Sequence, residues 1–480
     1  MGVWIYSERD SALMRDQEVV PLAAKAGAVL TCLAERRGQV VSRDEILQTV
    51  WAETNVTPDL VREYIFDLRS ALGDDASQPR YIETVRGVGF RLIGDVLVQR
   101  RAPESRRQFH GPSVAVRPVA LTDTSQDLVS PLARQLRVMI SEIPGFVVIP
   151  YSENGTRPDY VVECGVSNGG DAKSLWLTVR DTERVQVCSR AFEMFREADQ
   201  ETVVAAATNA LFAWRGPIMR AEEARAARKP DSELDAYDHY VLALACERRR
   251  DEEHTRRGFA HIERSLELDP TNARAWLALA IMLKRPFMLF GMPLSDAVLS
   301  RETEALEEAY ALDPDDALVL CDCASARART GDIGGAVAAL EIAATIGRNQ
   351  SDAVIICANL YATLSGNLRA AKDMLHRAQQ LNPTPREWCR FTVARVSFFS
   401  GDYGDCRAAA GPSSELLPLA IFNALALTQM GLNDEARDAR TAIRQCFPGF
   451  TFEDYSEFLP IVADRTLGLY RSVAQKLAAL

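Results

Sequence analysis

Ala26, Val29, Leu30 and Leu33 recur at helical intervals and predict an amphipathic helix over residues 22–36, which Gly38 ends. Before it, Val3-Trp4-Ile5-Tyr6 and Glu18-Val19-Val20 predict two strands of a small antiparallel sheet. After it, Ser42-Arg43-Asp44-Glu45 spells a capping box, in which a hydroxyl and a carboxylate each accept from the other residue's amide. The box opens a second helix carrying Ile46, Leu47, Val50 and Trp51. Thr57-Pro58 predicts a third helix, with Thr57 as N-cap and Pro58 where a missing N–H costs nothing. Along it Val61, Ile65, Leu68 and Leu72 form a stripe to be buried, and Gly73 closes it. Two apolar runs, 81–85 and 88–93, then flank Arg86-Gly87 and predict a hairpin with a basic tip.

The pattern changes twice more. Residues 96–112 hold Arg100, Arg101, Arg106 and Arg107 against Glu104, with Pro103 and Pro112, and predict a basic linker. Residues 113–228 predict an α/β region: strand 113–119, helix 127–143 and strand 146–150 as a β-α-β crossover, a meander over 159–166, 174–180 and 185–193, then one long helix from 199 to 228. The loop 117–121 contains no glycine, which disfavours the turns that cradle dinucleotides and triphosphates. From residue 230 onward the pattern is helical and repeats. Gly331-Asp332, Gly366-Asn367 and Gly401-Asp402 are 35 residues apart, with Gly431 30 further on. Leu268-Asp269-Pro270, Leu312-Asp313-Pro314 and Leu381-Asn382-Pro383 end helices alike. A helix–turn–helix unit of ~34 residues is the tetratricopeptide period, since each pair leaves a face unburied until the next stacks on it. Residues 405–412 are too short for a full second helix, so the fifth repeat is expected to be degenerate.

Composition narrows the function classes. With 47% hydrophobic and 25% charged residues the chain is globular, and no apolar stretch is long enough for a membrane helix. No signal peptide is read, and a cytoplasmic protein without membrane contact is expected. The ten cysteines form no CxxC pair and are expected as free buried thiols. Five scattered histidines complete no metal set, and no GxSxG, HExxH or P-loop occurs, so neither an enzyme nor a cofactor is expected. The net charge of −11 opposes nucleic acid globally, so such a partner needs a local patch.

Ser42-Arg43-Asp44-Glu45-Ile46-Leu47, Val50-Trp51, the stripe to Leu72-Gly73, and Thr84-Val85-Arg86-Gly87-Val88-Gly89-Phe90-Arg91-Leu92 together resemble the OmpR/PhoB-type winged-helix DNA-binding domain over residues 1–95. The resemblance implies that the third helix enters the major groove of double-stranded DNA and that the wing arginine reaches the minor groove. Arg69, Thr84 and Arg86 stand at the family's contact positions, with Arg62, Tyr64 and Phe66 as further candidates. Tyr64 replaces a usual histidine, and Phe66 and Asp67 occupy positions that are often basic. Phe66 suits a thymine methyl or a packing contact equally. Residues 1–95 carry a net charge of −4, so the linker arginines or a homodimer are expected to supplement phosphate binding.

Ser113-Val114-Ala115-Val116-Arg117-Pro118, Ile143-Pro144-Gly145-Phe146 and Asp159-Tyr160-Val161-Val162-Glu163 resemble a TolB-N-like α/β domain over 113–228. The fold class expected is therefore multidomain: an N-terminal winged helix-turn-helix, a central α/β domain and a C-terminal all-α, tetratricopeptide-like solenoid over 230–480. This order is similar to that of CadC-like and HilA-like regulators. It implies a one-component transcription regulator, with no receiver domain before the winged helix. Its central and repeat parts would sense a ligand or a protein partner, RNA polymerase included. An interaction scaffold whose winged helix docks proteins is the other reading. Phe287 and Phe290, in an apolar stretch expected between two helices of one repeat, suit either a buried plug or a partner patch.

Overall fold

Each of two units, Met1–Pro103 and Glu104–Leu480, closes around apolar residues of its own. The computed structural model describes residues 4–99 and 111–480, except 8–11, 16–17, 37, 52–58, 95, 120–122, 153–156, 170–171, 195–199, 214–215, 250, 383–388, 412–415, 453–454 and 456–460. In the first unit, strands β1 (Trp4–Ser7), β2 (Ala12–Arg15) and β3 (Glu18–Pro21) precede α1 (Ala24–Glu35), β4 (Val41–Ser42), α2 (Arg43–Val50) and α3 (Asp59–Leu72). Then come β5 (Ile82–Val85), β6 (Gly89–Leu92) and β7 (Val96–Gln99). Residues 96–99 were expected to open the linker. They instead pair in parallel with β1, Trp4 opposite Val96, and complete a four-stranded sheet of order β3-β2-β1-β7. Burial of Val96 gives the reason: its side chain belongs to the domain core.

That core joins Trp4, Tyr6 and Leu13 of the sheet to Val29, Leu30 and Leu33 of α1 and to the α3 stripe. The capping box forms in full. Glu45 N–H donates to Ser42 Oγ at 3.2 Å, and Ser42 N–H to Glu45 Oε2 at 2.8 Å. The backbone bond from Ser42, above all, holds the Glu45 carboxyl below its ordinary range. The expected cap residues Thr57 and Pro58 lie outside the described residues.

The second unit begins with β8 (Ser113–Pro118), α4 (Asp123–Ser141), β9 (Val147–Val148), β10 (Tyr160–Gly169), β11 (Ala172–Asp181) and β12 (Gln186–Met194). They form a sheet of order β12-β11-β10-β8-β9, with β8 parallel to both of its neighbours. Alternate residues Tyr160, Val162, Cys164 and Val166 are buried on one face. The expected helix 199–228 is two, α5 (Gln200–Phe212) and α6 (Pro217–Ala226). Pro217 can begin a helix but cannot continue one, because it lacks the N–H and clashes with the preceding turn.

Helices α7 (Ala236–Glu247), α8 (Glu252–Leu268), α9 (Ala273–Phe290), α10 (Asp296–Leu312), α11 (Ala317–Arg329) and α12 (Ile333–Ile346) follow as antiparallel pairs of tetratricopeptide type. The stack continues with α13 (Ser351–Leu360), α14 (Leu368–Leu381), α15 (Cys389–Ser400), α16 (Tyr403–Ala410), α17 (Leu417–Gln429), α18 (Asn433–Cys446) and α19 (Asp464–Ala479). Gly331, Gly366, Gly401 and Gly431 turn the pairs with φ of 86°, 66°, 85° and 74°, a region that favours glycine. The following Asp332 and Asn367 cap the next helix by accepting from Gly335 and Ala370 N–H. The short α16 is the degenerate repeat. Among the described residues no helix is long and apolar enough to cross a membrane.

The α/β layer and the repeats share one core. Val354 and Ile355 of α13 and Ala378 and Leu381 of α14 are buried in the same cluster as the sheet, α4 and α5. At this junction Asn209 Nδ2 donates to the Asn349 carbonyl at 2.7 Å, and its Oδ1 accepts from Ser351 N–H at 2.7 Å. Gln350 Nε2 reaches the Glu142 carbonyl at 3.2 Å.

Phe287 is not a partner patch. Helix α9 continues through Pro286, and Phe287 is 2% exposed, its ring stacked on Tyr455 with centroids 6.4 Å apart. Phe290 is half-buried at the helix end, before Gly291 at φ 65°. Buried charge is handled by pairing elsewhere in the stack. Burial works to raise the pKa of Glu302, but Lys284 and Arg329 outweigh it and hold the carboxyl below its ordinary range. Asp313 goes the other way: burial and then the neighbouring Asp316 push it up to about 6.

Phe287→Ala is expected to destabilise the repeat region by about 3–5 kcal/mol, read as an earlier urea transition. For Asp313, the contribution of a raised carboxyl pKa is complete below its ordinary 3.8 and is lost as pH rises through about 6. Asp313→Asn is therefore expected to raise the melting temperature above pH 7 and leave it unchanged near pH 4.

Candidate nucleic-acid interface

Helix α3 separates its residues by face. Val61, Ile65, Leu68 and Leu72 point into the core, while Arg62, Glu63, Phe66, Asp67 and Ser70 are exposed along the opposite side. Phe66 is 72% exposed, more than any other large apolar side chain among the described residues. Arg62 and Phe66 thus lie on the outward face, as the resemblance requires. Tyr64 does not. It is half-buried against Trp51, with ring centroids 5.3 Å apart, because its position turns it toward α2 and the core. Of the helix candidates it is the one packed against a neighbouring ring.

Arg69 is half-buried and turned sideways. Its Nη2 donates to the Ile82 carbonyl at 2.7 Å and to Thr84 Oγ1 at 2.9 Å, so the guanidinium ties α3 to the first strand of the wing. Those two bonds place the guanidinium at the base of the wing. Asp74, just past α3, pins the same strand: its carboxylate accepts from Arg80 N–H at 2.6 Å and Ile82 N–H at 2.8 Å. Thr84 is exposed, with its hydroxyl oxygen receiving Arg69.

The wing is a register-locked hairpin. Glu83 lies opposite Arg91, and Arg91 Nε donates to Glu83 Oε2 at 2.8 Å. A Cβ on Gly89 would stand 2.0 Å from the Val41 carbonyl oxygen, so only glycine lets β6 lie against β4. Arg86 and Val88 are exposed at the tip, on either side of Gly87 at φ 76°. The structure therefore leaves Arg62, Phe66 and Arg86 outward, with Thr84 exposed but engaged. The linker candidates Arg100, Arg101, Arg106 and Arg107 lie outside the described residues.

Sequence reasoning missed two members of the site. Glu63 shares the outward strip, and a helical wheel places it there, but attention to basic positions passed it over. Asp74 was missed because its partners are backbone amides, which no residue type announces.

Residues 16–92 match the family model described as "Transcriptional regulatory protein, C terminal". This segment is a winged-helix domain of that family. The chain is 36% identical to the transcriptional regulator HilA of Salmonella typhimurium over 89 residues, 18% of this chain and 16% of HilA. It is 32% identical to the transcriptional activator CadC of Escherichia coli over 98 residues, 20% of this chain and 19% of CadC. The solved DNA-binding domain of E. coli CadC aligns at 28% identity over 20% of this chain and 94% of that one, with a TM-score of 0.18. The chain thus spans less than a fifth of the length of these two curated relatives.

Arg69→Ala removes two hydrogen bonds from a charged donor and is expected to loosen the winged helix by about 1–2 kcal/mol. Amide exchange should quicken in β5 and β6 before it does in α1. The same substitution is expected to weaken DNA binding evenly across sequences, because it unseats the wing. Relaxed preference at a single base pair would contradict this assignment.

Proposed function

We propose that the chain is a sequence-specific DNA-binding transcription regulator. The observation that carries this reading is the pair of outward elements in the winged-helix domain: the α3 strip with Arg62 and Phe66, and the wing tip with Arg86. Helix α3 enters the major groove and Arg86 the adjacent minor groove, while Thr84 and the linker arginines approach phosphates. The matched relatives are named as a transcriptional regulator and a transcriptional activator, which supports the reading. The unit Glu104–Leu480 receives the signal, as a ligand or as a protein partner such as RNA polymerase. Homodimerisation supplies the affinity that a domain of net charge −4 lacks alone.

A second reading has one observation in its favour. Phe66 is exposed beside two carboxylates, Glu63 and Asp67, a composition that also suits a protein surface. On that reading the winged helix docks a protein.

Gel retardation of genomic fragments by the full chain separates the two. A regulator retards a subset of fragments against excess competitor, and Arg86→Ala weakens all of them together by several-fold. Replacing Arg100, Arg101, Arg106 and Arg107 is expected to flatten the log–log salt dependence by up to about 3–4 units, at ~0.9 per phosphate contact. Retention of a protein with no retarded fragment at low salt would favour docking.

A further inference from the structure

The outward strip of α3 has an unusual chemistry for a helix that meets DNA. It offers one cation, Arg62, against two carboxylates, Glu63 and Asp67, with the 72% exposed ring of Phe66 between them. None of these three is spent on the fold in the way Tyr64 and Arg69 are. Phe66 has its aromatic face in solvent, and Glu63 and Asp67 stand on the exposed side of a helix whose stripe already fills the core. A carboxylate in the major groove is repelled by phosphates, a cost that a hydrogen bond accepted from a base edge offsets.

Major-groove edges differ sharply in what they offer such a group. Guanine presents N7 and O6, both acceptors, and thymine presents O4, another acceptor. Adenine has the N6 amino donor but sets the N7 acceptor beside it. Cytosine alone presents its N4 amino donor with no neighbouring acceptor on the same base. An aromatic ring, having neither donor nor acceptor, gains only from the apolar 5-methyl of thymine.

We propose that α3 reads pyrimidines on one strand: Phe66 covers a thymine methyl, and Glu63 and Asp67 accept from cytosine amino groups beside it. The two carboxylates are four residues apart, one helical turn, with Phe66 within the same turn. They act as specificity determinants by rejecting guanine and thymine at their positions, and they lower affinity for random sequence by repelling phosphate. This inference rests on the DNA-binding reading above and adds the class of bases read.

The test uses the full chain and a pool of randomised duplexes. Selected duplexes should carry adjacent thymine and cytosine on one strand of each half-site. Replacing the thymine by deoxyuridine removes only the methyl group and should weaken binding by about four-fold, the worth of one buried methyl. Phe66→Ala should bind the thymine and deoxyuridine duplexes equally. Asp67→Asn and Glu63→Gln should each shift one selected position from cytosine toward adenine, because an amide donates as well as accepts and matches the N6/N7 edge. Melting curves of the variants should coincide with that of the parent, since all three side chains are exposed. A selected sequence in which deoxyuridine is tolerated everywhere, or in which both amide variants keep the parent preference, overturns the proposal and leaves DNA binding intact. A pool that yields no enriched sequence overturns both.

Discussion

The amide of Asn209 spends its Nδ2 and its Oδ1 on the chain between α12 and α13, giving a hydrogen bond to Asn349 and taking one from Ser351. Those two bonds mark the constraint on which the larger unit depends. A five-stranded sheet covered by α4 and α5, and a stack of helix pairs, each leave an apolar face that water will not tolerate. In this chain each covers the other. Val354, Ile355, Ala378 and Leu381 of the repeats enter the same cluster as Val204, Leu211 and Phe212 of α5. Polar backbone between α12 and α13 would be stranded at such a junction without partners, and Asn209 and Gln350 supply them. The α/β layer and the repeats accordingly share one core.

The smaller unit solves a different problem. A wing is a two-stranded hairpin, which is marginal in water by itself. Here it is anchored at its base and not at its tip. Asp74 and Arg69 fasten Ile82 and Thr84 to the end of α3, Gly89 lets β6 lie against β4, and Glu83 pairs with Arg91 across the strands. The anchoring residues are polar, yet their hydrogen bonds are directed inward, so the tip with Arg86 and Val88 stays outside. Helix α3 and the base of the wing are thereby tied together by side-chain hydrogen bonds.

Charge follows the same division. In the repeats, buried acids and bases are paired at short range, as with Lys284, Glu302 and Arg329, so their influence outside is small. On α3 the acids Glu63 and Asp67 face water. A protein carrying −11 overall gains little from long-range attraction to nucleic acid.

Much of the fold was legible in the chain because it is written in local rules. The Ser42–Glu45 box, the α3 stripe, the strand alternation of β10, and the glycines at 331, 366, 401 and 431 each act within a few residues, and each formed as read. The wing hairpin formed for the same reason. What local rules do not reach is the choice of partner for a side chain that could serve either of two. Phe287 and Phe66 are both aromatic residues on helices; one is stacked on Tyr455, 168 positions away, and the other stands in solvent. Arg69 is a basic residue at a contact position, but the backbone of Ile82 lies within reach and takes it. Val96 reads as the start of a linker until β1 is folded beside it. Sequence by itself determined most of the elements and the period of the repeats. Only the tertiary structure decided which side chains the surface keeps, because burial and hydrogen bonding are settled by residues far apart in the chain.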